Sequence, residues 1–468
     1  MNASDTFAPT DADRREGESR EPNRTASSGA QSPTLEQMLA VANVQSAWAR
    51  VRCNHGCAGV DGAGISELEP VFAQQWAQLE RALRSGTYAP QPLLRIRIPK
   101  PSGGERLLGV PTVMDRVVAQ AVAQVFIPSW ETRFSHRSFA YRPGRGTKDA
   151  LTAVERTLNQ GLEWVLHLDI ENFFDSVPHP VVLSALRNDL ADGRLRAIVE
   201  RILKCGVFEN GLVRPTTVGL AQGSPLSPLL ANIVLHRLDG FIESKGWDFA
   251  RYADDCLVLA ASETFHSLAL ESIAAFLGRI GLRLNEQKTT FRRFTHARFL
   301  GFAFERDGKG RVVRSVSPEA LAEAEKAMTQ IVETGGGGPE QIASEAARAL
   351  ASWLAYFWTP HDEPRFRALL YKITAVWQQR FGGLRVPDCL RWEAVQPAAS
   401  SGEDFDYCGH FRPKASLWDS VDWNQTLRCL FLRGLRSRWW GVEYDLGLGG
   451  RPARFALRLG GHRINFRL

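Results

Sequence analysis

The sequence predicts an α+β core followed by an all-α module. Three features carry that prediction: strand-like and helix-like stretches that alternate in no strict order, an apolar hairpin pattern in FARYADDCLVLA (249–260), and two long helical periodicities after a glycine run at 335–338. Residues 34–85 read as helices, with apolar spacing in LEQMLAVANVQSAWARV and VFAQQWAQLERALRSG. RIRIPKP (95–101) alternates as a strand does and stops at its prolines. VMDRVVAQAVAQVFIPSW reads as an amphipathic helix, WVLHLDI (164–170) as a short buried strand and VVLSALRNDL as a helix. Ser227 and Pro228 suit an N-cap and first helical position for PLLANIVLHRLDGFI. LALESIAAFLGRIGL is a helix, and ARFLGFAFE a strand ahead of the turn RDGKG. A helical region from about 340 to 383 contains RALASWLAYFW and FRALLYKITAVWQQRF, where Trp353, Tyr356 and Phe357 have the spacing of a core face.

With 468 residues the chain exceeds one ordinary domain, and its 44% hydrophobic and 23% charged content is that of a globular protein. No stretch reaches the roughly 18 uninterrupted apolar residues of a membrane span. Residues 1–33 are polar throughout and read as a disordered tail without the apolar centre of a signal peptide, so a cytoplasmic location is expected. Seven scattered cysteines fit a reducing compartment. CNHGC (Cys53, His55, Cys57) has no second pair at zinc-finger spacing, and Cys389, Cys408, His410 and Cys429 are irregularly spaced, which argues against zinc at either place. Charge says more. Residues 428–468 hold nine arginines against Glu443 and Asp445, a net of +7 in a chain whose total is +6. Phe431, Trp439, Trp440, Tyr444, Phe455 and Phe466 lie among these arginines, a mixture suited to phosphates and stacked bases.

Two carboxylates side by side, Asp254 and Asp255, interrupt the apolar run RYADDCLVLA. Burying ionised carboxylates is costly, so a turn, a basic partner or a bound cation must compensate. LHLDIENFFDSV ends another apolar strand at Asp169. One aspartate ending a strand and a pair in a hairpin could hold two hard cations about 3.5–4 Å apart for in-line phosphoryl displacement.

These motifs resemble the reverse transcriptases of group II introns and their bacterial relatives. The blocks occur in that family's order over roughly residues 35–385: NHGCAGVDG, RIPKPSGGERLLGVPTVMDRVVAQAV, FSHRSFAYRPGRGTKDAL, LDIENFFDSVPH, GLAQGSPLSPLLANIVLHRLD, RYADDCLVLA, GLRLNEQKT and RFLGF. The resemblance implies a right-hand polymerase. Residues 34–94 would be an N-terminal helical extension, 95–316 fingers and palm with an antiparallel palm sheet, 317–385 a helical, maturase-like thumb, and 386–468 an Arg/Trp-rich segment that binds nucleic acid or a partner. It implies Asp169 and Asp254 as metal-binding carboxylates with the Ile170 carbonyl, Asp255 as a more peripheral third, and two Mg²⁺ ions for which Mn²⁺ can substitute. Phe174 falls at the steric gate against a ribose 2′-hydroxyl, and Phe173 is the better core residue. Lys100, Arg106 and Lys288 match basic residues near the incoming triphosphate, and Gln222 and Gly223 match the rim beside the nucleotide. Arg142 matches a contact to template or incoming base pair, and Gly301 lies in the primer-grip hairpin.

The partners so implied are an RNA template, a primer and dNTPs, with intron RNA or a CRISPR integrase complex admitted and no membrane. The activity implied is RNA-directed DNA polymerisation, the alternative being an RNA-binding maturase in which polymerisation is incidental. The chain departs from the intron proteins at Ala221 and Ser224, where PQGG is usual, and at Cys256, where an aromatic follows YADD. Many members end in an HNH-type nuclease with paired CxxC motifs, and residues 386–468 have no such pair. Mobile intron, CRISPR-associated and anti-phage settings all remain open at this point.

Overall fold

The computed structural model describes residues 32–54, 56–99, 105–187 and 190–396, and three further strands between 441 and 467. Four helices come first: α1 (Leu35–Leu39), α2 (Val41–Cys53), α3 (Ile65–Leu68) and α4 (Phe72–Ser85). A single periodic stretch thus divides at Ala40, whose extended backbone (φ −55°, ψ 134°) breaks the helix. The Thr34 hydroxyl and the Gln37 side chain close a reciprocal cap on α1. The antiparallel hairpin β1 (Leu93–Pro99) and β2 (Glu105–Val110) follows, and then α5 (Val113–Glu131). The expected amphipathic helix is instead a central one, with residues such as Val117, Val118, Ala121, Val122 and Phe126 buried around its circumference. Its few polar residues are paired inside: Asp115 accepts from Tyr88 Oη at 2.8 Å and from Thr112 Oγ1 at 2.7 Å.

α6 (Thr147–Asn159), β3 (Trp164–Leu168), α7 (Phe173–Ser176), α8 (His179–Arg187) and α9 (Gly193–Lys204) come next, followed by the small hairpin β4 (Val207–Glu209) and β5 (Leu212–Arg214). Then come α10 (Ser227–Ser244), β6 (Asp248–Tyr252), β7 (Asp255–Ala260), α11 (Phe265–Arg279) and β8 (Thr290–Arg293). Ser227 is already helical and the N-cap position is Leu226, one residue before the expected one and without a side-chain cap; just ahead of it the Ser224 hydroxyl accepts from the Leu226 amide at 3.4 Å. The central sheet has the order β6-β7-β3-β8 and is antiparallel throughout. A second sheet, β2-β1-β4-β5, joins the two hairpins through a parallel β1–β4 contact.

ARFLGFAFE is not one strand. It folds as β9 (Arg298–Phe299) and β10 (Phe302–Arg306) around a two-residue turn, with β11 (Val312–Val316) completing a third sheet. Helices α12 (Pro318–Thr334), α13 (Pro339–Phe357), α14 (Glu363–Arg380) and α15 (Trp392–Val395) form the all-α module, and Thr359-Pro360 separates α13 from α14. Phe357 is buried, and Trp353 and Tyr356 pack against the same core, as their spacing requires. Leu390, Trp392 and Val395 belong to this core too, so the module's packing runs ten residues beyond the boundary drawn at 385. A meander of β12 (Gly441–Asp445), β13 (Arg454–Leu459) and β14 (His462–Arg467) lies in the Arg-rich segment. Among the described residues no helix is long and apolar enough to cross a membrane.

Candidate active site

The turn between β6 and β7 is as tight as a hairpin allows. Tyr252 pairs with Asp255, so Ala253 and Asp254 are its only two central residues. Ala253 is held at φ +60°, a conformation costly for any residue with a Cβ. What stabilises it lies beneath. Arg251 is fully buried, and its guanidinium donates to the Ala253 carbonyl at 3.0 Å, to both Asp239 oxygens at 2.6 Å, to Asn232 Oδ1 at 3.0 Å and to Ser138 Oγ at 2.8 Å. All five N–H donors are used. Burial opposes the charge on Arg251, but the charge and hydrogen bonds of Asp239, helped by Cys256 and Asp254, raise its pKa above the ordinary arginine value. Asn232 and Asp239 are seven residues apart on α10, two turns along one face, and Asn232 also donates to the Ala140 carbonyl at 2.8 Å.

Asp169 is the first residue past β3. The β3–β7 ladder ends at Leu168 opposite Cys256, which brings Asp169 beside Asp255 at the sheet's end. All three aspartates are half-buried. The Asp169 amide donates to Thr289 Oγ1 at 3.3 Å, and its carbonyl accepts from the Asn285 amide at 2.8 Å. The neighbouring Ile170–Leu284 bridge is closed by that bond and by Glu171 N to Arg283 O at 2.9 Å, without using the Ile170 carbonyl. His167 Nε2 lies 2.6 Å from Asp255 Oδ1, a contact that the motif reading missed because His167 is two residues upstream of the motif's aspartate. Arg251 was missed as well, although it sits in the quoted RYADD; its role depends on α10, which the motif does not contain. Cys256, the departure after YADD, is buried in β7, and burial pushes its thiol far up.

Phe174, Gln222, Gly223 and Lys288 sit in segments joined to one another, to β2 or to Asp169 by backbone hydrogen bonds. Phe173 is buried while Phe174 is half-exposed and meets it edge to face, with ring centroids 5.6 Å apart. The Phe174 carbonyl accepts from Leu220 N at 2.6 Å, tethering the loop that carries Gln222 and Gly223. The Gln222 carbonyl accepts from Gly109 N at 3.3 Å. At Gly223 (φ +137°) a Cβ would stand 2.9 Å from the Gly109 carbonyl oxygen, so the backbone that approaches closely here is β2. Lys288 is exposed, and its amide is held by Asn285, the residue bonded to the Asp169 carbonyl. Arg106 is in β2 opposite Ile98; its side chain and the whole of Lys100 lie outside the described residues, as do Cys408, His410, Cys429 and residues 1–31.

Arg142 does not fit the expected template contact. Its side chain is 2% exposed, and its five donors go to the Glu131 carboxylate and carbonyl and to the carbonyls of Ser135 (2.6 Å) and Ser138 (2.7 Å). With every N–H used internally, it holds the 131–142 loop together. Gly301 lies in the β9–β10 turn, where Leu300 (φ +53°) and Gly301 (φ +83°) are both left-handed.

Oxygen donors only, three carboxylates and a backbone carbonyl at one strand end, form a set suited to hard divalent cations. Residues 98–304 match the family model described as reverse transcriptase (RNA-dependent DNA polymerase). Over that stretch, which is less than half of its length, the chain is similar to the reverse transcriptases. The proteins it is similar to include a group II intron-encoded protein. The chain is 28% identical to Protein YkfC of Escherichia coli over 321 residues, covering 58% of this chain and 84% of that protein. It is 35% identical to the group II intron-encoded protein LtrA of Lactococcus lactis over 163 residues, 35% of this chain and 27% of LtrA. The chain therefore spans little more than a quarter of LtrA's length. A chain of a structure titled "Partial Cas6-RT-Cas1--Cas2 complex" is 27% identical over 52% of this chain and 41% of that one, with a TM-score of 0.34.

Proposed function

We propose that the chain extends a nucleic-acid 3′ end with dNTPs on an RNA template by two-metal nucleotidyl transfer. The observation that carries this reading is that the strand registers bring Asp169, Asp254 and Asp255 to one end of an antiparallel sheet, with the turn between β6 and β7 pinned by a buried arginine. The central sheet would be the palm, β1–β2 the fingers hairpin, β9–β10 the primer grip and α12–α15 the thumb. Asp169 and Asp254 would hold two Mg²⁺ ions with the Ile170 carbonyl, and Asp255 would assist, its carboxylate oriented by His167. When bound, such cations acidify the attacking hydroxyl and neutralise charge on the leaving oxygen.

The chain's own residues then position and select. Lys100, Arg106 and Lys288 would offset triphosphate charge as it shifts during transfer. The half-exposed Phe174 ring would fill the space of a ribose 2′-hydroxyl, and the Leu220 amide fixes its backbone beside the Gln222 loop. Primer extension on an RNA template with dNTPs and Mg²⁺ tests the whole reading. Wild type is expected to extend and Asp254→Ala to lose at least 100-fold in rate with an unchanged melting temperature. Equal extension by both proteins overturns it.

A further inference from the structure

The segment that leads to Gln222 and Gly223 has little apolar anchorage of its own. Thr217 and Val218 are exposed and Gly219 is half-buried; the chain enters the core only at Leu220. Backbone bonds hold it instead. His179 N donates to the Thr217 carbonyl at 3.2 Å, and Pro178 and Val218 form an antiparallel bridge. Gly219 N donates to the Val177 carbonyl at 2.8 Å, and Leu220 N to the Phe174 carbonyl at 2.6 Å. The strip on the other side, residues 174–179, begins in the single turn of α7. So short a helix leaves its carbonyls without helical partners, and those of Phe174 and the capping Val177 find theirs here. The backbone beneath the Phe174 ring is therefore held by residues 219 and 220.

One side chain fastens this strip. His179, at the start of α8, is 1% exposed, and its Nε2 lies 2.9 Å from the Gly219 carbonyl oxygen. A carbonyl only accepts, so Nε2 carries the proton and donates. Nδ1 is buried with no hydrogen-bond partner, and burial holds the imidazole below the ordinary histidine pKa. The ring is thus neutral, with its one N–H committed to Gly219. Gly219 completes the contact from the other side. It sits at φ +96°, and a Cβ there would stand 3.3 Å from the Asp175 carbonyl oxygen and 3.5 Å from that of Phe174.

We propose, resting on the polymerase reading and on Phe174 as its gate, that His179 is a positioning residue for sugar selection. By fixing Gly219 it sets where the Phe174 ring stands, and so how strictly a ribose 2′-hydroxyl is excluded. His179 itself touches neither nucleotide nor cation.

The test is primer extension by the full-length protein on an RNA template with Mg²⁺, read as the ratio of kcat/KM for a dNTP to that for the matching rNTP. His179→Leu is expected to lower this ratio about tenfold, the scale of one buried hydrogen bond, with kcat for the dNTP little changed. His179→Gln, which restores an N–H donor of similar reach, is expected to keep most of the ratio. Gly219→Ala disturbs the same contact from the other side and is expected to lower the ratio as His179→Leu does. In a Phe174→Val background, His179→Leu is expected to change the ratio by no more than about twofold, because a residue acting through Phe174 has nothing left to act on. A wild-type ratio in His179→Leu, or in Gly219→Ala where His179→Leu does not fold, overturns the proposal. An equal fall in the Phe174→Val background overturns it as well. Equal losses of dNTP and rNTP rates with the ratio kept assign His179 to folding alone, which also overturns it. Wild type that extends nothing defeats the polymerase reading and this proposal with it, whereas extension with an unchanged ratio defeats the proposal alone.

Discussion

Arg251 shows how one buried side chain can serve both stability and the site. Its ion pair with Asp239 is fully buried on both sides, and its fifth donor fixes the carbonyl of the left-handed Ala253 immediately before Asp254. Removing the guanidinium strands a buried carboxylate, so Arg251→Met is expected to cost about 3–5 kcal/mol in urea unfolding. Adding Asp239→Leu removes that stranded charge and is expected to recover most of the loss. The contact to the turn stays missing in the double variant, so primer extension is not expected to recover with stability. A double variant that regains both would reduce Arg251 to a structural ion pair. Arg142 teaches the complementary lesson. A motif position alone suggested a template contact, and the count of its hydrogen bonds, invisible in sequence, removed it.

At the scale of elements, local pattern told strand from helix but not how each was used. The polarity of α5 was misread because Asp115, Arg116 and Ser129 look solvent-facing in sequence, whereas each is bonded in the interior. The three carboxylates were legible because apolar strands ending in aspartate are a local signal. The β9–β10 hairpin was implied at Gly301 by the resemblance but not by the local pattern, because Leu300-Gly301 lacks the Asn or Asp that usually marks such a turn. Structure supplies the reason for that glycine. A Cβ at Gly301 would come within 2.9 Å of the Phe357 ring on α13, and the Leu300 carbonyl accepts from Tyr356 Oη at 3.0 Å. Gly301→Ala therefore combines a left-handed φ with an overpacked contact and is expected to cost about 2 kcal/mol or more by thermal unfolding. A loss below about 0.5 kcal/mol would mean that the turn relaxes freely away from α13.

At the scale of the molecule, the boundary between a sheet domain and a helical module dissolves. One core gathers α1, α2, α5, α8 to α11 and one side of the central sheet; the other joins Val165, Leu257 and Leu259 from that sheet with β9–β11 and α12–α15. Asp362, fully buried at the start of α14, accepts from the Val316 amide at 2.7 Å and from Arg365, which also pairs with Glu305 on β10. The second core ends at Leu390, Trp392 and Val395, with the Arg367 guanidinium 4.6 Å from the Trp392 ring centroid. This changes where the basic segment can be cut. Truncation after Gly383 removes three buried side chains worth several kcal/mol together, so its melting temperature is expected to fall and any loss of RNA binding would be ambiguous. Truncation after Gln396 keeps that core. It is expected to melt as the full chain does while its salt slope for RNA flattens, because the arginines go and the fold stays. Equal melting temperatures for the two truncations would show that residues 384–396 add nothing to the core, and an unflattened slope in the longer one would remove the basic segment from nucleic-acid binding.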